Sequence, residues 1–508
     1  IMKADKKIIA AIIIVAFLLM LLNIVSSAYA GEEAVKKAME KYDIHHYEEG
    51  IALLKKEIDA RSGDDLVLPY FILGRFYLKE AGLYRAIYET SLMTTNEYLI
   101  KLNGSKSGKK SRYIPYFLGL LHLEMGQPKK AAAYLQQFIN SNPPDERFRE
   151  KARLRLGMAY YLMGEKKKGE DYWRGVSAKD EEIIAEKGYI LARLNTGLKD
   201  ALEMAQNAIN ISQKSGRKDI QLYRNAAYVY YKNDMADAAL ELLDKMPSDE
   251  AVFVDNMERN KVIKFYDPST IGDISAIYYY AAGKYFNRVM NLRGRERYED
   301  LIRYYLGEVS YGLGRYDAAI DEINNFVKLS KRDARYNERA RVLLGACYYK
   351  KGDKKKAEEI WNDVLNKNPQ DAGIISELMD TYAELKVADP AILKRMEEKD
   401  SSSSRDEKLA KPFYMSLGRL YYNKKDYERS VQTLELARDK GNKNKLETND
   451  PVFLIRLADG YYRLKKYSES LEIFFGIGKV YPIVRQIQDT IQGVYSAEEK
   501  GSGEARIN

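Results

Sequence analysis

Few residues in this chain have the types and spacing that chemistry would need. Gly104-Ser105-Lys106-Ser107-Gly108-Lys109-Lys110-Ser111 comes nearest to a phosphate-cradling loop. Such a loop has four residues between its glycines and a Ser or Thr directly after its Lys. Here three residues intervene, Lys110 follows Lys109, and no strand leads in, so the stretch reads as a flexible basic loop. Cys347 is the only cysteine and has no partner thiol, so it reads as a small buried hydrophobe. His45 and His46 are neighbours, and adjacent residues on a helix do not face each other, so they make a poor metal pair. Acidic runs such as Asp180-Glu181-Glu182 read as solvated faces. No H-E-x-x-H, G-x-S-x-G, paired C-x-x-C or Gly-rich nucleotide fingerprint occurs. The expectation is a protein that is not an enzyme and that uses no cofactor and no metal.

The regularity lies instead in the elements. Residues 342–369 carry Leu344-Gly345, Tyr348, Gly352, Ala357, Trp361 and Pro369 in helix-turn-helix order. Leu344, Gly345 and Tyr348 share one helical face, and Ala357, Trp361 and Val364 share the next. Gly352 can take the left-handed conformation that ends the first helix, and Pro369 cannot continue the second. A small Ala beside a large Trp lets the two helices interlock.

This arrangement resembles the tetratricopeptide repeat, whose pattern is W-x2-L-G-x2-Y, then A-x3-F, then P. Further copies are Leu73-Gly74, Tyr77, Ala86; Leu118-Gly119, Gly126, Ala131, Leu135, Pro143; and Leu156-Gly157, Tyr160, Gly164, Trp173. The series goes on with Leu306-Gly307, Gly314, Ala319, Ile323; Leu417-Gly418, Tyr421, Ser430, Leu434; and Leu457-Ala458, Tyr461, Ser470, Phe474. Weaker copies surround Tyr42–Leu54, Ala226–Leu243 and Ile375–Leu385. The family's first Trp is missing throughout, and well-matched copies lie 38 or 40 residues apart (118 to 156, 417 to 457). The resemblance implies an all-α, right-handed superhelical solenoid of about ten helix pairs, each burying one face on its neighbours and presenting a concave surface to a partner.

The same resemblance turns the first helix of each pair towards the groove. It thereby places Tyr161, Tyr231, Tyr311, Tyr349, Lys350, Arg419, Tyr422, Asn423, Tyr462 and Arg463 on a candidate partner-binding surface. Tyr offers a rigid apolar face with a polar tip, and Arg or Lys binds carboxylates. The competing reading packs these tyrosines between neighbouring repeats, as an aromatic stripe at helical spacing usually does. A protein partner is expected. The alternative is a polysaccharide or peptidoglycan module whose groove tyrosines stack on sugar rings.

Location is read from the first thirty residues. Lys3, Lys6 and Lys7 precede an apolar run over 8–22, and Ala28-Tyr29-Ala30 follows, the plan of a secretory signal peptide cleaved after Ala30. An uncleaved inner-membrane anchor is the alternative. Either way, the repeats are expected outside the cytoplasm, in the periplasm or secreted. With 83 basic and 74 acidic residues the net charge of +9 is mild for 508 residues, and nucleic acid is not an expected partner. Basic clusters on one edge could still attract an anionic polysaccharide. The expected organisation is a first array over 31–244, an irregular connection over 245–273, a second array over 274–396 and a Ser-rich charged linker over 397–411. The last repeats and a capping helix follow over 412–495, then a disordered tail over 496–508.

Overall fold

In the computed structural model the described residues are 33–105, 111–176, 180–216, 219–246, 253–258, 261–330, 334–369, 371–387, 407–440 and 450–504. The signal segment 1–30 and most of the linker 397–411 lie outside them. The helices, in chain order, are α1 (33–43), α2 (Tyr47–Asp59), α3 (Val67–Gly104), α4 (Ile114–Glu124), α5 (Pro128–Asn140), α6 (Glu146–Leu162), α7 (Lys166–Arg174), α8 (Glu181–Arg193), α9 (Leu198–Ser215), α10 (Ile220–Lys232) and α11 (Ala236–Asp244). A two-stranded ribbon, β1 (Phe253–Glu258) and β2 (Lys261–Phe265), follows. Then come α12 (Pro268–Met290), α13 (Glu299–Gly312), α14 (Tyr316–Leu329), α15 (Ala334–Lys350), α16 (Lys354–Lys367), α17 (Ala372–Leu385), α18 (Glu407–Asn423), α19 (Tyr427–Lys440), α20 (Pro451–Arg463), α21 (Tyr467–Gly478) and α22 (Arg485–Glu504). Short turns join α4 to α5, α6 to α7, α10 to α11, α13 to α14, α15 to α16, α18 to α19 and α20 to α21, so the chain is an all-helical solenoid of hairpins.

The repeat spacing has a direct steric cause. A Cβ on Gly345 would overlap the Trp361 indole, and one on Gly418 would sit 2.6 Å from Leu434 Cγ, so only glycine lets the two helices of a pair approach this closely. Trp361 is fully buried and its Nε1 donates to the Val342 carbonyl at 3.0 Å. Trp173 does the same to Leu154 at 3.1 Å. Where Ser replaces the Ala of the second helix, Ser430 Oγ donates to the Gly418 carbonyl at 2.8 Å and Ser470 Oγ to Ala458 at 2.8 Å. Cys347 is buried in this packing, and burial pushes its thiol up to about 12. His122 is also a packing residue. Its ring stacks on Tyr134 at 5.3 Å, its Nδ1 lies 3.1 Å from Gln127 Oε1, and burial lowers its pKa.

Three departures from the sequence reading matter. First, Leu73-Gly74, Tyr77 and Ala86 do not form a hairpin but lie on one uninterrupted helix of 38 residues, α3. Gly82 keeps a helical backbone, because no turn residue or N-cap follows it to start a second helix. Second, the connection over 245–273 holds an antiparallel ribbon, Phe253 opposite Phe265, and then the start of α12. Pro268 opens that helix rather than breaking the chain, with the Asp267 side chain capping Ser269 N. Third, α22 runs on to Glu504, through much of the stretch expected to be a disordered tail.

The solenoid also closes on itself. Helix α3 packs along α12, where Tyr77 stacks on Tyr285 at 5.6 Å and Ser275 Oγ donates to the Ala81 carbonyl at 2.7 Å. Its C-terminal half then meets the end of the chain. Arg456 on α20 pairs with Glu89 at 2.6 Å, Arg463 with Glu97 at 3.1 Å, and Tyr98 lies against Gly493 on α22. Tyr481 donates to the His45 carbonyl, and Tyr266 to Asp489 at 2.7 Å. One apolar core therefore includes Val35 and Leu54 near the start of the chain, Ile277 in the middle, and Ile487 and Val494 near its end.

This closure buries an acid. Glu80 on α3 has no exposed surface and neither carboxylate oxygen has a hydrogen-bond partner among the described residues. Burial, with Glu48 nearby, holds its carboxyl well above the ordinary range. Tyr47, Tyr84, Tyr278 and Tyr481 surround it from α2, α3, α12 and the turn before α22. Because its folded pKa is raised, its contribution to stability is fullest below the unfolded value near 4.3 and is lost as pH rises towards the folded value. Glu80→Met is therefore expected to raise stability at pH 8 by about 1–3 kcal/mol and to do so less at pH 4. Chemical unfolding at the two pH values reads the difference, and an equal or reversed effect would contradict it.

Candidate partner-binding surface

The groove of the first array is built by α4, α6, α8 and α10, and the chain places Phe265 at the end of β2 and the start of α12 in it. Phe265 of β2 stacks on Phe117 with centroids 3.8 Å apart and is 1% exposed. Below it lies a buried charge network. Arg224 on α10, with no exposed surface, donates to Asp273 at 2.7 Å, Ser269 at 2.9 Å and Asp267 at 3.2 Å, and its guanidinium lies 4.5 Å from the Tyr189 ring centroid. Tyr189 donates to Asp273 at 2.8 Å, and Arg193 bridges Asp273 at 3.1 Å and Glu124 at 3.2 Å. Arg155 pairs with Glu186, which also accepts from Asn225 at 2.9 Å. Burial alone would push the Asp267 carboxyl up, yet Arg224 and Arg155 hold it below its usual value.

The inner face of the second array is tied together in the same way. Tyr311 on α13 donates to Glu384 on α17 at 2.9 Å, Arg419 on α18 pairs with Asp380 at 2.7 Å, and Asn423 donates to the Ala383 carbonyl. Tyr422 donates to Asp459 on α20, and Arg463 reaches both Tyr422 Oη at 3.3 Å and Glu97 of α3. Tyr462 is buried beside Tyr467, with rings 5.8 Å apart. Tyr349 is half-buried against Trp361 at 5.9 Å, Tyr161 stacks on Trp173 at 5.6 Å, and Tyr231 is buried against Tyr280 at 5.0 Å. Burial pushes the hydroxyls of Tyr231, Tyr311, Tyr422 and Tyr462 up. Of the ten residues expected to line a free groove, Lys350 and Asn423 are the exposed ones. Nine of the ten contact the chain itself: Tyr311, Arg419, Tyr422, Asn423 and Arg463 through hydrogen bonds or ion pairs, and Tyr161, Tyr231, Tyr349 and Tyr462 through aromatic packing.

The spacing held a signal for the acids on this face that sequence reasoning passed over. In two of the copies the residue directly after the pair is acidic, Glu308 after Leu306-Gly307 and Asp459 after Leu457-Ala458. Asp459 and Arg419 take part in the links above. Burial raises the Glu308 carboxyl to about 7, with Lys79 of α3 acting in the opposite direction. The arrangement can hold partners by shape and charge, and what it holds in this state is its own α3.

An all-helical array of hairpins, with paired charges between successive first helices, defines a repeat scaffold. Residues 118–144 and 339–371 match one tetratricopeptide-repeat family model and residues 412–437 match a second, and the chain is a tetratricopeptide-repeat protein. Such a protein serves protein–protein interaction. No curated protein matches the chain. Among solved structures it is similar to yeast Tom70, at 13% identity over 94% of this chain and 96% of that one, with a TM-score of 0.32. It is also similar to a tetratricopeptide-repeat protein from Parabacteroides merdae, at 14% identity over 71% of this chain and 99% of that one, with a TM-score of 0.27.

Proposed function

We propose that this protein is an extracytoplasmic scaffold that holds a protein partner within a cell-envelope assembly. The observation that carries the location is the order of Lys3, Lys6 and Lys7, the apolar run over 8–22 and Ala28-Tyr29-Ala30, which is what an export signal needs. The scaffold role is supported by the repeats themselves and by surfaces that bind rather than react. A sugar-stacking role is disfavoured for Tyr161, which stacks on Trp173, and for Tyr349, Tyr231 and Tyr462, which pack against Trp361, Tyr280 and Tyr467. Residues 1–40 fused to a reporter that is active only outside the cytoplasm are expected to give activity. N-terminal sequencing of the full-length protein from the envelope fraction should begin at Gly31 if the segment is removed, and at the original terminus if it is kept as an anchor. A reporter that remains inactive in the cytoplasm would overturn the location.

A further inference from the structure

Closure of the solenoid creates a cavity that neither repeat array contains alone. It lies on the seam between the α1–α2 turn and the last hairpin, α20–α21, and its volume is about 480 Å³. That size accommodates one or two large side chains. Its apolar lining is Ile44 from the turn, Leu454 from α20, and Ile473, Ile477 and Val480 from α21 and its end.

The rim carries Glu469 and Glu472 on one side and Arg438, His45 and His46 on the other, with His46 Nδ1 2.9 Å from Glu49 Oε1 and His45 Nδ1 2.7 Å from the Tyr47 hydroxyl. Glu469 and Glu472, three residues apart on α21, both line the cavity, both are exposed, and neither forms an ion pair or hydrogen bond among the described residues. The cation on the opposite wall is already used: Arg438 pairs with Glu435 at 2.8 Å, and Glu435 also accepts from Tyr461 at 2.5 Å. The cavity thus presents an apolar floor with two uncommitted carboxylates above it. A protein segment carrying a large apolar side chain beside a Lys or Arg complements both features, the first by burial and the second by charge.

We propose that this seam cavity is a docking site for such a segment of a protein partner. The proposal rests on the scaffold reading above and moves its binding surface from the concave groove, where the chain places its own Phe265 and the start of α12, to the seam. Binding there requires the closed form, because the α1–α2 turn and α21 come together only when the ends of the chain meet.

Gly476 offers a clean test. It lines the cavity on helix α21, its backbone is helical, and a Cβ there would meet nothing within 4 Å, so Gly476→Leu fills the space without strain. Random heptapeptides displayed on phage are selected against the full chain, and an enriched peptide is labelled for fluorescence anisotropy. The expected motif is a large apolar residue next to Lys or Arg, with binding weakened at least tenfold by Gly476→Leu and, independently, by Glu469→Lys with Glu472→Lys. Peptides that bind all three proteins equally would overturn the seam site while leaving the scaffold reading in place. Enrichment of no peptide would overturn this site, and the export and cleavage measurements would still decide the location. Sedimentation of the same samples covers one more outcome: a dimer lost in Gly476→Leu would make the seam an interface between two copies and overturn the peptide proposal.

Discussion

Arg224→Ala is expected to lower stability by about 3–5 kcal/mol, the range for removing one partner of a buried ion pair. The size follows from what is left behind. Asp267 and Asp273 are 3% and 2% exposed, and each takes one of its two nearest charge partners from Arg224 or depends on it alone. Arg193 still reaches Asp273, but no other ion pair reaches Asp267 among the described residues. Urea unfolding followed by circular dichroism reads the loss. The pH dependence is a second, independent reading. In the native protein Asp267 has a depressed pKa, so its contribution is present above the unfolded value near 3.9 and fades as pH falls through the folded value. Without Arg224, burial dominates and the same carboxyl takes a proton more readily, so the gap between native and variant is expected to narrow from pH 7 to pH 4. Arg224→Met combined with Asp267→Asn and Asp273→Asn, which removes the charges together, should recover much of the loss. A cost under about 1 kcal/mol for Arg224→Ala would mean that the network is not what seats the start of α12 in the groove.

The repeat was legible in the sequence because its physics is local. Gly345 must be small since Trp361 crosses it sixteen positions later, and the same clash fixes Gly418 against Leu434, so a short motif written many times reveals itself. The ribbon was not legible: β1 and β2 mix charges into their alternation, and two prolines nearby read as breaks. Nor was the continuity of α3, where a Leu-Gly pair and a later Ala imitate a repeat although no turn follows Gly82. The groove residues could be placed on their helices from the repeat spacing. Tyr311 and Arg419 reach α17, Tyr422 reaches α20 and Arg463 reaches α3, so these residues share one face of the array. What the register cannot convey is occupancy. Arg463 and Glu97 are separated by 366 positions, and no periodicity connects them.

That long-range contact carries the second large effect. Arg456→Glu with Arg463→Glu is expected to open the seam between the last repeats and α3, while each array keeps its helices. Deleting the pairs would do little, since both carboxylates are partly exposed, Glu89 at 42% and Glu97 at 36%, and such pairs contribute modestly. Reversal is different: it sets four carboxylates against one another at Glu89, Glu97 and the two new positions, beside the buried Asp459, and facing like charges cost several kcal/mol. Local opening of α20, α22 and the second half of α3 should then become about 100-fold more frequent, read as amide hydrogen exchange, because each 1.4 kcal/mol is tenfold. Helix content by circular dichroism should change little, and small-angle scattering should show a longer particle. The apolar contacts of Ile487, Ile491 and Val494 oppose this opening, which is why two reversals are needed rather than one. Adding Glu89→Arg and Glu97→Arg restores the attraction with its direction exchanged and should return exchange towards the native rate. If the fourfold variant stays open, the arginines hold the seam by shape rather than charge; if the double variant stays closed, the apolar core alone fixes the ring.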